Sequence, residues 1–325
     1  SLSCRSLIYK GMFLAEHLTE FYPDLLDERF VSRFAIYHQR YSTNTFPTWK
    51  LAQPFRRLAH NGEINTISGN INWMKSHETR LSHPDLDPWM ADIKPLVQAG
   101  GSDTATLDNV FELLTFAGRD APSAKALMIP ASVGGNAAMK PAHRDMFTYC
   151  NAVLEPWDGP AALCATDGRW VVAGLDRSGL RPLRYTVTTD NLLIVGSETG
   201  MVRVPENAIV SRGRLGPGEM IGVDLDEARL YGNSALLDVL SSRQDFSDWI
   251  KRTQKIGHLV RSDVTEPVYY KGDELRRRQL AVGTTLEELE TLLHPMVEDA
   301  SEAIGSMGDD TPLAVLSPRY RGLSH

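Results

Sequence analysis

Over the first two hundred positions, apolar residues come in short blocks bounded by turn formers, a texture of strands more than of long helices. Phe34-Ala35-Ile36-Tyr37, Ala161-Ala162-Leu163-Cys164 and Trp170-Val171-Val172-Ala173-Gly174-Leu175 read as buried strands. The last two are joined by Thr166-Asp167-Gly168-Arg169, whose Asp-Gly pair suits a hairpin turn. A second hairpin is expected where Arg184-Tyr185-Thr186-Val187 and Leu192-Leu193-Ile194-Val195 flank the polar Thr188-Thr189-Asp190-Asn191. Elsewhere the period changes: Val110, Leu113, Leu114 and Ala117 fall on one helical face over 108–117, and 71–81 reads as a second helix. The pattern predicts an α+β domain.

Beyond Gly218-Glu219-Met220-Ile221-Gly222-Val223-Asp224 the texture shifts. Residues 245–259 and 274–296 are charged and rich in helix formers, and they lead to the loop-like string Gly305-Ser306-Met307-Gly308-Asp309-Asp310-Thr311-Pro312. A boundary near 230–250 follows, with a first domain over 1–240 and a mostly helical connecting segment over 241–325. Arg276-Arg277-Arg278 reads as the solvated face of a helix.

With 325 residues, 42% hydrophobic and 23% charged, the chain can build a sizeable core, which argues against disordered, collagen-like and coiled-coil classes. A net charge of −7 supplies no cationic field for general nucleic-acid or anionic-membrane binding. The longest uncharged stretch, Ala126 to Met139, is broken by Pro130, Gly134 and Gly135 and is too short to cross a bilayer. Cys4, Cys150 and Cys164 form no metal-ligand spacing and, being odd in number, a poor disulfide framework; no metal site and a reducing cytoplasm are expected. The opening residues lack an initiator Met and the order of a signal peptide, and read like the inside of a folded unit.

Four loops could carry chemistry, and each has an ordinary structural explanation beside the functional one. In His38-Gln39-Arg40-Tyr41-Ser42-Thr43-Asn44-Thr45, at the end of an expected strand, Arg40 can grip a carboxylate through two parallel hydrogen bonds or serve a structural ion pair. In His60-Asn61-Gly62-Glu63-Ile64-Asn65, Asn61 and Gly62 pair a side-chain amide with an unobstructed backbone N–H, which suits an oxyanion hole or a plain Asn-Gly turn. In Gly100-Gly101-Ser102-Asp103-Thr104, Asp103 could bind an ammonium group, or Ser102 or Asp103 could cap the following helix. Asp176-Arg177-Ser178-Gly179-Leu180-Arg181-Pro182-Leu183 reads as a rigid turn that stabilises the sheet.

Together, the order and spacing of these motifs resemble the class II glutamine amidotransferases: His-x-Arg-x-x-Thr, His-Asn-Gly-x-Ile, Ser-Asp-Thr, then Arg at 177 within a Gly-x-Arg-Pro-Leu turn and a later Ser197-Glu198. Ala35 to Trp49, Leu58 to Asn65 and Gly305 to Pro312 are similar to the glutamate synthase branch of that family. The resemblance implies part of a four-layer αββα sandwich of the N-terminal nucleophile hydrolase type, followed by the start of a glutamate synthase central domain. It also implies roles: Arg40 for the α-carboxylate of L-glutamine, Asp103 for its α-amino group, Thr43 lining the pocket, and Asn61 with Gly62 as oxyanion hole. An amino acid presents one anion and one cation, so Arg40 and Asp103 are expected to face each other across one small cavity.

The family's nucleophile is an N-terminal cysteine whose α-amino group acts as base. Cys4, followed by Arg5-Ser6-Leu7-Ile8-Tyr9-Lys10-Gly11, does not match it, and Cys150 and Cys164 read as core residues. The expectation is a chain truncated at both ends and inactive alone. In the parent, hydrolysis of glutamine to glutamate and ammonia would feed reductive transfer to 2-oxoglutarate. FMN and an iron–sulfur cluster would carry the electrons, supplied through a small subunit from NADPH or by ferredoxin. A non-catalytic amino-acid-binding or interaction module, or another class II amidotransferase, remains open at this point.

Overall fold

Among the described residues eight strands form: β1 (Leu58–Gly62), β2 (Ala161–Thr166), β3 (Trp170–Leu175), β4 (Arg184–Thr188), β5 (Leu193–Gly196), β6 (Ile209–Arg214), β7 (Met220–Asp224) and β8 (Arg229–Tyr231). The computed structural model describes residues 5–41, 46–134, 138–254, 257 and 269–300, and the chain divides into two compact units, Ser1–Thr253 and Gln254–His325. All eight strands lie in the first. They make a five-stranded sheet in the order β1-β2-β3-β7-β8 and a three-stranded sheet in the order β5-β4-β6, with every pairing antiparallel.

The period of two decides which core each residue joins. Leu58, Ala161, Leu163, Ala165, Trp170, Val172 and Met220 enter a large core together with the helices. Their neighbours Ala162, Ala173, Leu175 and Ile221 turn the other way and pack on Tyr185, Leu193 and Val195 of the smaller sheet. The helices are α1 (Ile67–Glu78), α2 (Asp103–Phe116), α3 (Ala121–Met128), α4 (Pro141–Val153), α5 (Asn233–Ser241) and α6 (Phe246–Lys251). A helix layer, a five-stranded sheet and a three-stranded sheet are thus stacked in the order expected of a partial αββα sandwich.

Local chemistry accounts for the boundaries. The Asp-Gly hairpin between β2 and β3 forms as expected, with Gly168 at φ +93°. Helix α2 starts at Asp103, ahead of the expected 108, because Ser102 Oγ caps it by accepting from Ala105 N at 3.1 Å. The helix expected over 71–81 spans Ile67–Glu78. One expectation fails: Phe34-Ala35-Ile36-Tyr37 belongs to neither sheet. Phe34 and Ile36 are half-buried while Ala35 and Tyr37 are exposed, so the alternation is present without a strand to pair with among the described residues. Helix α3 carries no clear amphipathic stripe and is buried along nearly its whole length, whereas α4 buries His143, Met146, Phe147 and Cys150 at the spacing of one helical face.

Strand β1, which carries the Asn-Gly pair, is pinned from two sides. Asp108 of α2 is buried and accepts from Arg57 N at 2.8 Å, Leu58 N at 3.1 Å and Arg56 N at 3.2 Å. On the free edge, Gln53 accepts from His60 N at 2.7 Å and donates to His60 O at 3.1 Å, doing with a side chain what a neighbouring strand would do.

In the second unit, α7 (Gly272–Ala281) carries the three-arginine run: Arg277 and Arg278 each bond Glu274 at 2.8 Å, and Arg278 lies 3.8 Å from the Tyr270 ring. Thr43, Cys4 and the string Gly305 to Pro312 lie outside the described residues. No described helix is long and apolar enough to cross a membrane.

Candidate active site

The Asn-Gly pair is not a turn. Asn61 and Gly62 end strand β1, in register with Ala162 and Ala161. Leu58 and His60 face the helices, so Asn61 turns toward the smaller sheet, where its amide donates to Ser197 Oγ at 2.9 Å just past β5. An NH2 carries two hydrogens, and an oxyanion needs one. Gly62 is held at φ +147° against the loop before β2, and a side chain there would collide with Pro160 O, 1.8 Å from an added Cβ. Gly159 is the mirror case, at φ +148° with Glu63 O 2.0 Å from its added Cβ. Two backbones cross here at a distance that only glycine permits.

The Asp176 loop braces this crossing. Asp176 is buried; one carboxylate oxygen accepts from Ala161 N at 2.9 Å and the other from Ser178 N at 2.7 Å. Since Ala161 is the register partner of Gly62, the turn acts through β2 on the strand end that carries Asn61 and Gly62. Arg177 leaves the same loop to pair with Asp158 at 2.5 Å.

Asp103 reaches the corner from the first turn of α2. Its Oδ2 accepts from Ile64 N at 2.9 Å, and its Oδ1 accepts from Thr104 N at 2.6 Å and Thr104 Oγ1 at 3.2 Å. A carboxylate offers about four lone-pair sites, so these donors leave room for one more. Asp103 is therefore tied to the strand end that carries Asn61 and Gly62. Arg40 is tied to them less directly: its backbone N donates to His38 Nδ1 at 3.1 Å, and half-buried His38 also hydrogen-bonds the backbone of His60. Arg40 is exposed, and among the described residues no ion pair joins it to Asp103. Cavities of about 540 Å³ beside β4 and about 690 Å³ around Arg56, Arg119 and Arg169 are lined by none of these residues.

Three buried ionisable groups escape sequence reasoning. His60, 2% exposed, is driven down to about 4 by burial, opposed by Asp103 and reinforced by His38 and Arg181. Lys125 of α3 is 1% exposed, donates to Leu175 O at 2.9 Å, and is pushed down to about 8 by burial. Asp108, enclosed as described, is pushed up to about 6 by burial, while its bonds from Arg57 and Arg56 pull the other way. The signal for His60 was its two-residue spacing from Leu58, just after the apolar pair Leu58-Ala59. For Asp108 it was a carboxylate three residues before buried Phe111, on the core side of a helix.

Histidine 60 sets a pH dependence of stability. Its folded pKa lies below the unfolded value of about 6.5, so the unfolded chain takes the proton first. The contribution is complete above about 6.5 and is lost as pH falls toward about 4, by roughly 3 kcal/mol. Urea unfolding between pH 7 and pH 4.5 is expected to show this slope in the wild type and a shallower one in His60→Gln.

Comparison with known proteins gives the same family from independent information. Residues 1–249 match the model for class-II glutamine amidotransferases, and residues 277–325 match that for the glutamate synthase central domain. The large chain of the NADPH glutamate synthase of Azospirillum brasilense is 59% identical over all of this chain and 22% of its own length. Ferredoxin-dependent glutamate synthase 2 of Synechocystis sp. is 42% identical over 99% of this chain and 21% of its own. The chain thus spans about a fifth of the length of these relatives. Among solved structures, the glutamine phosphoribosylpyrophosphate amidotransferase of B. subtilis, complexed with ADP and GMP, aligns with a TM-score of 0.33 at 20% identity, over 60% of this chain and 34% of its own. The chain belongs to the class-II glutamine amidotransferases, in the glutamate synthase branch of that family.

Proposed function

We propose that this chain is the region of a glutamate synthase large chain that binds L-glutamine and stabilises the oxyanion formed as its amide is hydrolysed to glutamate and ammonia. The observation that supports the reading is Asp103 bonded to Ile64 N, two residues beyond the strand end that carries Asn61 and Gly62. Arg40 takes the α-carboxylate, Asp103 the α-ammonium, and Thr43 a place on the pocket wall. Asn61 Nδ2 and Gly62 N face the developing oxyanion, a type of donor worth about 3 to 4 kcal/mol of barrier when removed. In this reading residues 1–240 make the amidotransferase domain, and 241–325 the connecting segment and the start of the central domain.

The ammonia is passed to 2-oxoglutarate and the product reduced, with electrons from NADPH or ferredoxin, as the names of the relatives suggest. FMN and an iron–sulfur cluster supply that redox chemistry in the whole synthase. The described residues do not fit such a cluster: thiolate ligands are needed, none of their His, Cys, Asp and Glu side chains cluster in threes, and Cys150 and Cys164 are pushed up to about 12 and about 11 by burial. The redox groups are therefore assigned to other parts of the synthase, and the same two buried cysteines supply no nucleophile among the described residues.

Titration calorimetry with L-glutamine tests the binding assignment. Arg40→Lys is expected to weaken binding about tenfold or more, because an ammonium cannot reproduce the two parallel bonds of a guanidinium. Unchanged affinity would remove Arg40 from the carboxylate site.

A further inference from the structure

His60 has no role in the reading above, yet its ring lies buried between β1 and α2 and is bonded at one nitrogen only. Nδ1 is 3.0 Å from Thr104 Oγ1, and Nε2 has no hydrogen-bond partner among the described residues. The direction of the bond follows from its neighbours. Thr104 has one hydroxyl hydrogen, and Oγ1 stands 3.2 Å from Asp103 Oδ1, which as a carboxylate oxygen can only accept. That hydrogen goes to Asp103, and Oγ1 is left to accept from the ring.

Neutral imidazole has a single N–H, so the ring carries its hydrogen on Nδ1. The alternative tautomer would bury an N–H with nothing to accept it at Nε2, a rarer and costlier situation than an unmatched lone pair. A directed series results: His60 Nδ1–H to Thr104 Oγ1, and Thr104 Oγ1–H to Asp103 Oδ1. Gln53 holds the backbone of His60 at both N and O, so the ring has a fixed base.

We infer that His60 is a positioning residue for the ammonium-binding carboxylate: acting through the Thr104 hydroxyl, it fixes the orientation of Asp103 and so the place of the substrate's α-amino group. The inference rests on the glutamine reading for its ligand, and on the hydrogen-bond geometry alone for its mechanism. It assigns His60 to substrate recognition with no contact to the substrate.

Two measurements on the 325-residue chain decide it. Nitrogen-15 NMR of the His60 ring at pH 7 is expected to show the Nδ1–H tautomer; an Nε2–H or doubly protonated ring would overturn the inference. Calorimetry then compares L-glutamine with 4-carbamoylbutanoate, which is glutamine without its α-amino group. His60→Leu and Thr104→Val are each expected to weaken glutamine about tenfold and to leave the des-amino compound within twofold, whereas Thr104→Ser and His60→Asn, which keep a hydroxyl and a nearby N–H, retain glutamine binding. Equal losses for both compounds, or none for either, would overturn it as a merely structural contact. Should His60→Leu fail to fold, the Thr104 pair carries the comparison. Should the wild type bind no glutamine, the glutamine reading fails, and the tautomer decides the relay by itself.

Discussion

Gly62→Ala is expected to remove most of the stability of the first unit. The added Cβ would sit 1.8 Å from Pro160 O, a backbone atom that cannot swing aside as a side-chain tip can, and the residue would have to hold φ +147°. Backbone strain of about 1 to 3 kcal/mol and overpacking of a similar size add up to a large share of a typical domain stability of about 5 to 15 kcal/mol. Gly159→Ala is expected to behave alike, since its Cβ would meet Glu63 O at 2.0 Å. Gly100→Ala is the control: at φ +74° with nothing within 4 Å, it faces strain alone, about 1 to 2 kcal/mol. Urea unfolding followed by circular dichroism separates them, and equal losses at Gly62 and Gly100 would show that the crossing yields without cost.

The second large effect is catalytic. The purified 325-residue chain is expected to release no ammonia from L-glutamine above the uncatalysed rate. Oxyanion donors accelerate a reaction only when something attacks the carbonyl. Burial keeps Cys150 and Cys164 as thiols, with thiolate fractions near neutrality of about one part in ten thousand or less. Cys150 sits in the helix-side core and Cys164 between the sheets. A coupled assay for glutamate with wild-type protein and Cys4→Ala is the check. Turnover that disappears in the variant would make Cys4 the nucleophile and overturn the assignment.

The parts of the fold legible in the sequence are those fixed by neighbours in the chain. The hairpin from β2 to β3 needs only a Gly at positive φ between two apolar runs, and Ser102, a candidate cap in the sequence, does meet the N–H three residues on, although the apolar spacing predicts the start of α2 only at 108. Phe34 to Tyr37 shows the limit, because an apolar run becomes a strand only if another strand arrives beside it. The site divides the same way. Asn61, Gly62, Arg40 and Asp103 stood out as residue types suited to binding an amino acid, whereas their supports could not. Asp108 bonds residues 50 to 52 positions away, Lys125 a carbonyl 50 positions away, and His60 a hydroxyl 44 positions away, and no spacing rule reaches that far.

Gln53 has a consequence for solubility. An open sheet margin invites a strand from another molecule, which docks by exchanging N–H and C=O bonds one residue after the next. At His60 both of those groups are already taken by a side chain of the same molecule. Among the described residues no strand covers this margin, and a foreign strand zipping along it would stall at the glutamine, so a single amide guards the end of β1 against self-association.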